Sequence, residues 1–201
     1  MNDDAPDPVS PALFRSPLLL SWQSSALLVV DVQTKLVPEI AEHARIVWNI
    51  GRLMDGATVL DVPVVATEQY PQGLGPTVPE LADRLTKVEE KIAFSCGACG
   101  QMFRDLHEKS IHQILVAGIE AHVCVLQTVL DLMTESFDVF VAVDAVGSRS
   151  DIDARTALDR MVMAGATLCT TESALFEWCE VAGTPEFKKI SALVRQQAPD
   201  T

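Results

Sequence analysis

The chain has 201 residues, 48% of them apolar and 21% charged, with 28 acidic against 15 basic side chains and a net charge of −13. That length suits one domain of ordinary size, and the balance excludes a disordered or fibrous chain. The acidic excess repels phosphate backbones and anionic lipid surfaces at long range, so neither a nucleic acid nor a membrane is an expected partner.

Residues 1–24 carry four of the eleven prolines and several acids, and read as an irregular arm ahead of a single domain over 25–201. The arm is expected to pack on a neighbouring subunit. The opening Met-Asn-Asp-Asp is acidic where a signal peptide would be basic, and no apolar run approaches the ~20 residues of a bilayer span, so a cytoplasmic location is expected. Five cysteines, an odd number without dense spacing, argue for reduced thiols over a disulfide framework.

Ala26 to Val32 is a short continuous apolar run, the pattern of a parallel strand buried on both faces. Between Glu42 and Leu60 the apolar residues Ile46, Ile50, Leu53, Met54 and Ala57 fall on one helical face, and Arg45, Asn49 and Arg52 are expected on the other. Pro63 to Thr67 reads as a second strand and Val88 to Ile92 as a shorter third. A helix near 99–109 follows, then a strand over Ile111 to Ala117 whose apolar run ends at Gly118. A helical pattern opens near His122 and is expected to bury Leu126, Leu130 and Met133. Phe137 to Val143 is the fifth strand. Ser150 and Asp153 resemble a capping box opening a helix through Leu158, Met161 and Val162. Ala166 to Cys169 closes the set, and helices are expected after Thr171 and Thr184.

Strands regularly separated by helices imply βαβ crossovers. The expected fold is therefore α/β: a three-layer α/β/α domain with an open six-stranded, mainly parallel, Rossmann-like sheet in the order 3-2-1-4-5-6. In such sheets ligands bind beyond the carboxyl ends of the strands, near the point where strand order reverses.

That rule selects Asp31 at the end of the first strand, Lys91 at the end of the third and Cys124 just past the fourth. Taken alone, Asp31 equally caps a turn, Lys91 is an ordinary surface lysine, and Cys124 is a small hydrophobe at a strand–helix junction. Together they form a working set. The carboxylate takes the thiol proton, the ammonium stabilises both charges, and the thiolate attacks a carbonyl. Cys124 sits near a helix N-terminus, where partial positive charge favours a thiolate. Cys96 and Cys99 form a C-x-x-C without a second ligand pair, and the four histidines at 43, 107, 112 and 122 are scattered, so no metal site is expected.

These residues resemble the isochorismatase-like cysteine hydrolases, which include nicotinamidases and N-carbamoylsarcosine amidohydrolases. The resemblance covers about residues 25–180 and rests on Leu27-Leu-Val-Val-Asp-Val-Gln33, Glu89-Glu-Lys-Ile-Ala-Phe-Ser95 and Gly118-Ile-Glu-Ala-His-Val-Cys-Val125. It is strongest to the isochorismatase domain-containing subgroup, through Gly118 to Thr128 and Thr67-Glu-Gln-Tyr-Pro-Gln-Gly-Leu-Gly75. The resemblance implies Cys124 as nucleophile, Asp31 as general base and Lys91 as its electrostatic partner. It also implies a cis peptide between Ile119 and Glu120, with the backbone N–H groups of Glu120 and Cys124 forming an oxyanion hole.

Nicotinamidases carry an Asp and His metal cluster after the second strand, where this chain has Glu68-Gln-Tyr-Pro71. No metal and no cofactor are expected. Gln33, Tyr70 and Phe94 are candidates for the pocket wall, Gln33 with the better claim; for Phe94 the core is the favoured place. His122, two residues before the cysteine, is expected to project away from it. The resulting expectation is a cysteine-dependent hydrolase of a C–N amide-type bond in a small molecule, acting through a thioester and assembled as a homo-oligomer. A non-catalytic binding or scaffold protein on the same fold and a thiol redox protein remain the alternatives.

Overall fold

The computed structural model describes residues 14–199. Six strands form one sheet: β1 (Ser25–Val30), β2 (Val64–Gln69), β3 (Val88–Lys91), β4 (Gln113–Ile119), β5 (Asp138–Gly147) and β6 (Thr167–Cys169). Their order is β3-β2-β1-β4-β5-β6 and every adjacent pair is parallel. The expected order therefore holds, and the sheet is parallel throughout, without an antiparallel edge.

The period-two alternation of β1 sorts the core into two layers. Leu27 and Val29 face one side, with α1 (His43–Val59), the short α3 (Pro79–Ala82), α7 (Thr171–Cys179) and α8 (Pro185–Val194). Ala26, Leu28 and Val30 face the other, with α4 (Gly100–Glu108), α5 (Leu126–Thr134) and α6 (Asp151–Ala164). A four-residue helix, α2 (Pro71–Leu74), follows β2 directly.

Several helix details depart from the sequence pattern. Asn49 and Arg52 do not take the solvent side of α1, because Asn49 Nδ2 donates to the Asp144 carbonyl at 2.5 Å and Arg52 Nη2 to Asn49 Oδ1 at 2.6 Å. The Arg52 guanidinium also lies 3.8 Å over the Trp48 ring. On α5 the buried face is Leu126, Val129 and Leu132, while Leu130 and Met133 are half-buried. The cause is a π-helical turn over Ala121–Val125, whose extra residue rotates the following helix relative to a regular one. On α6, Ala157 and Met161 are buried, Leu158 is half-buried and Val162 is exposed. Ser150 is the N-cap of α6 without a side-chain capping bond, and the reciprocal capping box belongs instead to Thr170 and Ser173 at α7.

Residues 14–24 form turns with no helix or strand, and they pack on their own domain. Leu20 is fully buried, its N–H donates to Glu177 Oε2 at 2.8 Å, and Gln113 Oε1 accepts from Ser21 N at 2.8 Å. Over these residues the arm makes contacts to β4 and α7 of its own chain. Residues 1–13 lie outside the described part.

The tightest approach in the sheet lies at its switch point, between β1 and β4. Gly118 has φ 143°, and a Cβ there would stand 2.3 Å from the Val30 carbonyl oxygen and 2.7 Å from the Val30 nitrogen. Only glycine fits such a site. Gly118→Ala is expected to cost about 3 kcal/mol or more of unfolding free energy, read by urea denaturation, since it adds both backbone strain and a clash with an immobile strand. A loss below about 1 kcal/mol would mean that β1 yields.

Candidate active site

At the carboxyl end of β1 the chain turns sharply. Asp31 adopts a left-handed φ of 53°, its N–H donates to the Thr67 carbonyl at 3.1 Å, and its side chain is fully buried. Lys91, the last residue of β3, sits two strands away and reaches across the end of β2. Its Nζ donates to Asp31 Oδ2 at 2.6 Å, Gln69 Oε1 at 3.0 Å, Phe94 O at 2.8 Å and Ala93 O at 3.3 Å. The other carboxylate oxygen, Oδ1, accepts from Thr67 Oγ1 at 2.8 Å. The ion pair is sealed, with side-chain exposures of 1% for Lys91 and 0% for Asp31.

Cys124 arrives from β4 through Gly118, the left-handed Glu120 (φ 57°) and the π-helical turn, in which Val125 N–H donates to the Glu120 carbonyl at 3.3 Å. The Thr128 hydroxyl fixes this turn by donating to the Cys124 carbonyl at 2.7 Å while accepting from Cys96 N–H at 2.9 Å. Cys124 is only 4% exposed, yet it lines a cavity of about 370 Å³ with Leu36, Leu74, Phe94 and Val123.

Burial pushes the Cys124 thiol well above its ordinary range, and the Asp31 carboxylate raises it further by charge and hydrogen bonding, against an opposing pull from Lys91. Burial and the Asp31 charge both act against the standing thiolate that the helix terminus was expected to favour. Cys96 is a second buried thiol beside the pair, its Sγ 3.3 Å from Thr67 Oγ1, and burial with the Asp31 charge pushes it up to about 11. Cys96 and Cys99 are both free thiols.

The remaining sequence candidates separate. Gln33 is fully buried and serves as a brace, donating from Nε2 to Gln69 O at 3.0 Å and Gly75 O at 2.6 Å while Oε1 accepts from Gln69 N at 2.8 Å. It ties the ends of β1 and β2 together and does not line the cavity. Tyr70 is half exposed and lies against Gly73, outside the lining. Phe94 is 53% exposed and forms part of the cavity wall, so the core placement favoured from sequence is replaced by a rim position. His122 meets Ser148 Oγ at 3.0 Å and does not line the cavity, as its position in the motif suggested.

The expected cis bond is corrected too. Among the described residues every peptide bond is trans, and the reversal after β4 is made by the positive φ values of Gly118 and Glu120. The Glu120 N–H meets no acceptor among the described residues. The Glu120 side chain is 8% exposed and pairs with Arg149 Nε at 2.7 Å over the cavity mouth.

Sequence reasoning missed Thr67, Gln69, Thr128 and Arg149 as parts of this site. A signal existed for the first two: polar residues two apart at the end of an otherwise apolar parallel strand share one face and need buried partners. Thr128 and Arg149 carried no such mark.

Near the end of β2, Glu68 Oε1 accepts from Thr77 N at 2.6 Å and Thr77 Oγ1 at 2.7 Å, closing a loop. Among the described residues no group of three or more His, Cys, Asp or Glu side chains is placed to hold a metal ion, and no helix is long and apolar enough to cross a membrane.

Comparison with known proteins matches residues 25–173 to the isochorismatase domain. The mouse isochorismatase domain-containing protein 2A is 41% identical over 180 residues, covering 89% of this chain and 86% of that protein. A structure titled as the MAR1 ribonuclease of Caenorhabditis elegans superposes with a TM-score of 0.84 at 39% identity, covering 91% of this chain and 95% of its own. The Escherichia coli YcaC gene product, described as an octameric hydrolase of unknown specificity, superposes with a TM-score of 0.81 at 26% identity over 89% of this chain and 92% of its own. A match over most of the length places this chain in the isochorismatase family, whose fold supports hydrolytic function.

Proposed function

We propose that this protein is a cysteine hydrolase acting on a C–N amide-type bond of a small molecule through a thioester intermediate. The observation that carries the reading is the placement of Cys124 on a cavity, against a buried carboxylate that is itself anchored by Lys91. Asp31 accepts the Cys124 proton as the sulfur attacks the carbonyl carbon, so the thiol need not ionise beforehand. The tetrahedral oxyanion is met by the backbone N–H groups of Glu120 and Cys124. Asp31 then returns its proton to the leaving nitrogen and the amine departs. Water attacks the thioester, giving its proton through Asp31 to the departing Cys124 sulfur, and the carboxylic acid is released.

Lys91 neither donates the proton nor binds substrate in this cycle, because its ammonium is already engaged by four oxygens. Its role is to fix and neutralise Asp31. We further infer a homo-oligomer, on the strength of the octamer described for YcaC. The ribonuclease name of the nematode structure marks another chemistry, which a net charge of −13 disfavours.

Ammonia release from a panel of small amides, with intact-mass detection of the acyl adduct, tests the reading. Cys124→Ala is expected to lose at least about a thousandfold in turnover and all adduct mass. Turnover equal to that of the unaltered protein would overturn it.

The charges around the thiol give a second test, in iodoacetamide alkylation against pH. Asp31→Asn removes a carboxylate that raises the thiol and leaves Lys91, which lowers it, so the Cys124 profile should move to lower pH, with alkylation at pH 8 faster by about tenfold for each unit moved. Lys91→Met removes the opposing influence and should move the profile the other way. Profiles that do not move would show that neither charge acts on the sulfur.

A further inference from the structure

The walls of the Cys124 cavity differ from its floor. At the floor lie Cys124 and Gln69, whereas the sides are Leu36, Leu74 and Val123, all half-buried, and the half-exposed Phe94. A set of apolar side chains left partly wet around a concave site is the usual sign of a surface awaiting an apolar ligand. The volume, about 370 Å³, lies at the small end of ligand pockets.

The charges point the same way. Arg149, the one lysine or arginine among the described residues lining the cavity, has its Nε on Glu120, and Lys91 behind the wall is held by Asp31 and three further oxygens. On the acidic side stand Asp31, Glu120 and the exposed Glu39 at the rim. The lining therefore holds two carboxylates, Glu39 and Glu120, against the one paired Arg149, with Asp31 and Lys91 joined behind it, in a chain that is itself acidic. An anionic acyl group would find in the lining only a guanidinium already paired with Glu120, and would meet the field of the surrounding carboxylates. A cationic group would have only the solvated Glu39 to meet and would have to give up its hydration against leucine, valine and phenylalanine.

We propose that the substrates of this site are small uncharged primary amides whose acyl part is apolar and three to six carbons long. This rests on the amide-hydrolase reading above and names the substrate class of the same site. The amide group lies at Cys124 and the hydrocarbon runs outward between Leu36, Leu74 and Val123 toward Phe94. Bond changes are those of the cycle already given: the C–N bond breaks, a C–S bond forms, and water replaces sulfur to yield a short carboxylic acid and ammonia.

The test is kcat/KM for ammonia release from acetamide, propionamide, butyramide and isovaleramide, beside two charged amides of matched length, succinamate and β-alaninamide. Each added methylene should raise kcat/KM by about three- to fourfold until the cavity is filled. Both charged amides should fall at least about tenfold below butyramide. Phe94→Ala, whose backbone carbonyl still serves Lys91, should flatten the dependence on chain length. A charged amide matching butyramide, or rates independent of chain length, overturns the substrate class while leaving the hydrolase intact. Failure of every amide, charged or not, to acylate Cys124 in intact-mass spectra overturns the hydrolase reading and this inference with it.

Discussion

The buried pair of Lys91 and Asp31 is the constraint on which the site depends. Removing two opposite charges from water costs more than their mutual attraction returns unless further hydrogen bonds complete both groups. Here the completion is thorough: four oxygens surround Lys91 Nζ and the Thr67 hydroxyl takes the second carboxylate oxygen. None of those partners is close to both charges in sequence. They meet because β3, β2 and β1 lie side by side in register, so that the lysine ending one strand, the polar residues ending the next and the aspartate following the third share one edge of the sheet. Fold topology thus acts as the assembly device for a charge arrangement that a surface could not hold.

The same edge carries backbone conformations that ordinary residues avoid. Asp31, Tyr70 and Glu120, each immediately after β1, β2 and β4, all have positive φ. A left-handed aspartate is common enough, whereas tyrosine and glutamate there are held by their surroundings. Gln33 supplies much of that support, clamping Gln69 on both backbone sides and holding Gly75 at the next turn. The residue singled out from sequence for a place in the pocket wall therefore does its work behind the wall, keeping two strand ends from drifting apart.

What could be read from the chain follows from this physics. The parallel sheet was legible because strands buried on both faces leave continuous apolar runs, and the rule of the switch point then singled out Asp31, Lys91 and Cys124. Illegible were the features that depend on a partner distant in sequence. Asn49 and Arg52 look like solvent residues on a helical wheel and are buried where the Asp144 carbonyl of β5 takes the Asn49 amide. Phe94 looks like core and is rim. The π-helical turn, which shifts the buried face of α5 by one residue, has no marker in local composition.

The elevated thiol bears on how a buried cysteine serves as the proposed nucleophile. A permanently ionised sulfur would gain from the positive end of a helix, but inside this cavity it would lack water and face the carboxylate of Asp31. A neutral thiol against that carboxylate carries one negative charge in the space, balanced by Lys91, both before the proton moves and after. Charge is thereby conserved within a few atoms, and the proposed reaction creates new charge only at the substrate oxygen, for which the Glu120 N–H, without an acceptor among the described residues, is the proposed donor. A wall of leucine, valine and phenylalanine is compatible with that economy, because nothing in the cycle asks the outer cavity to solvate an ion.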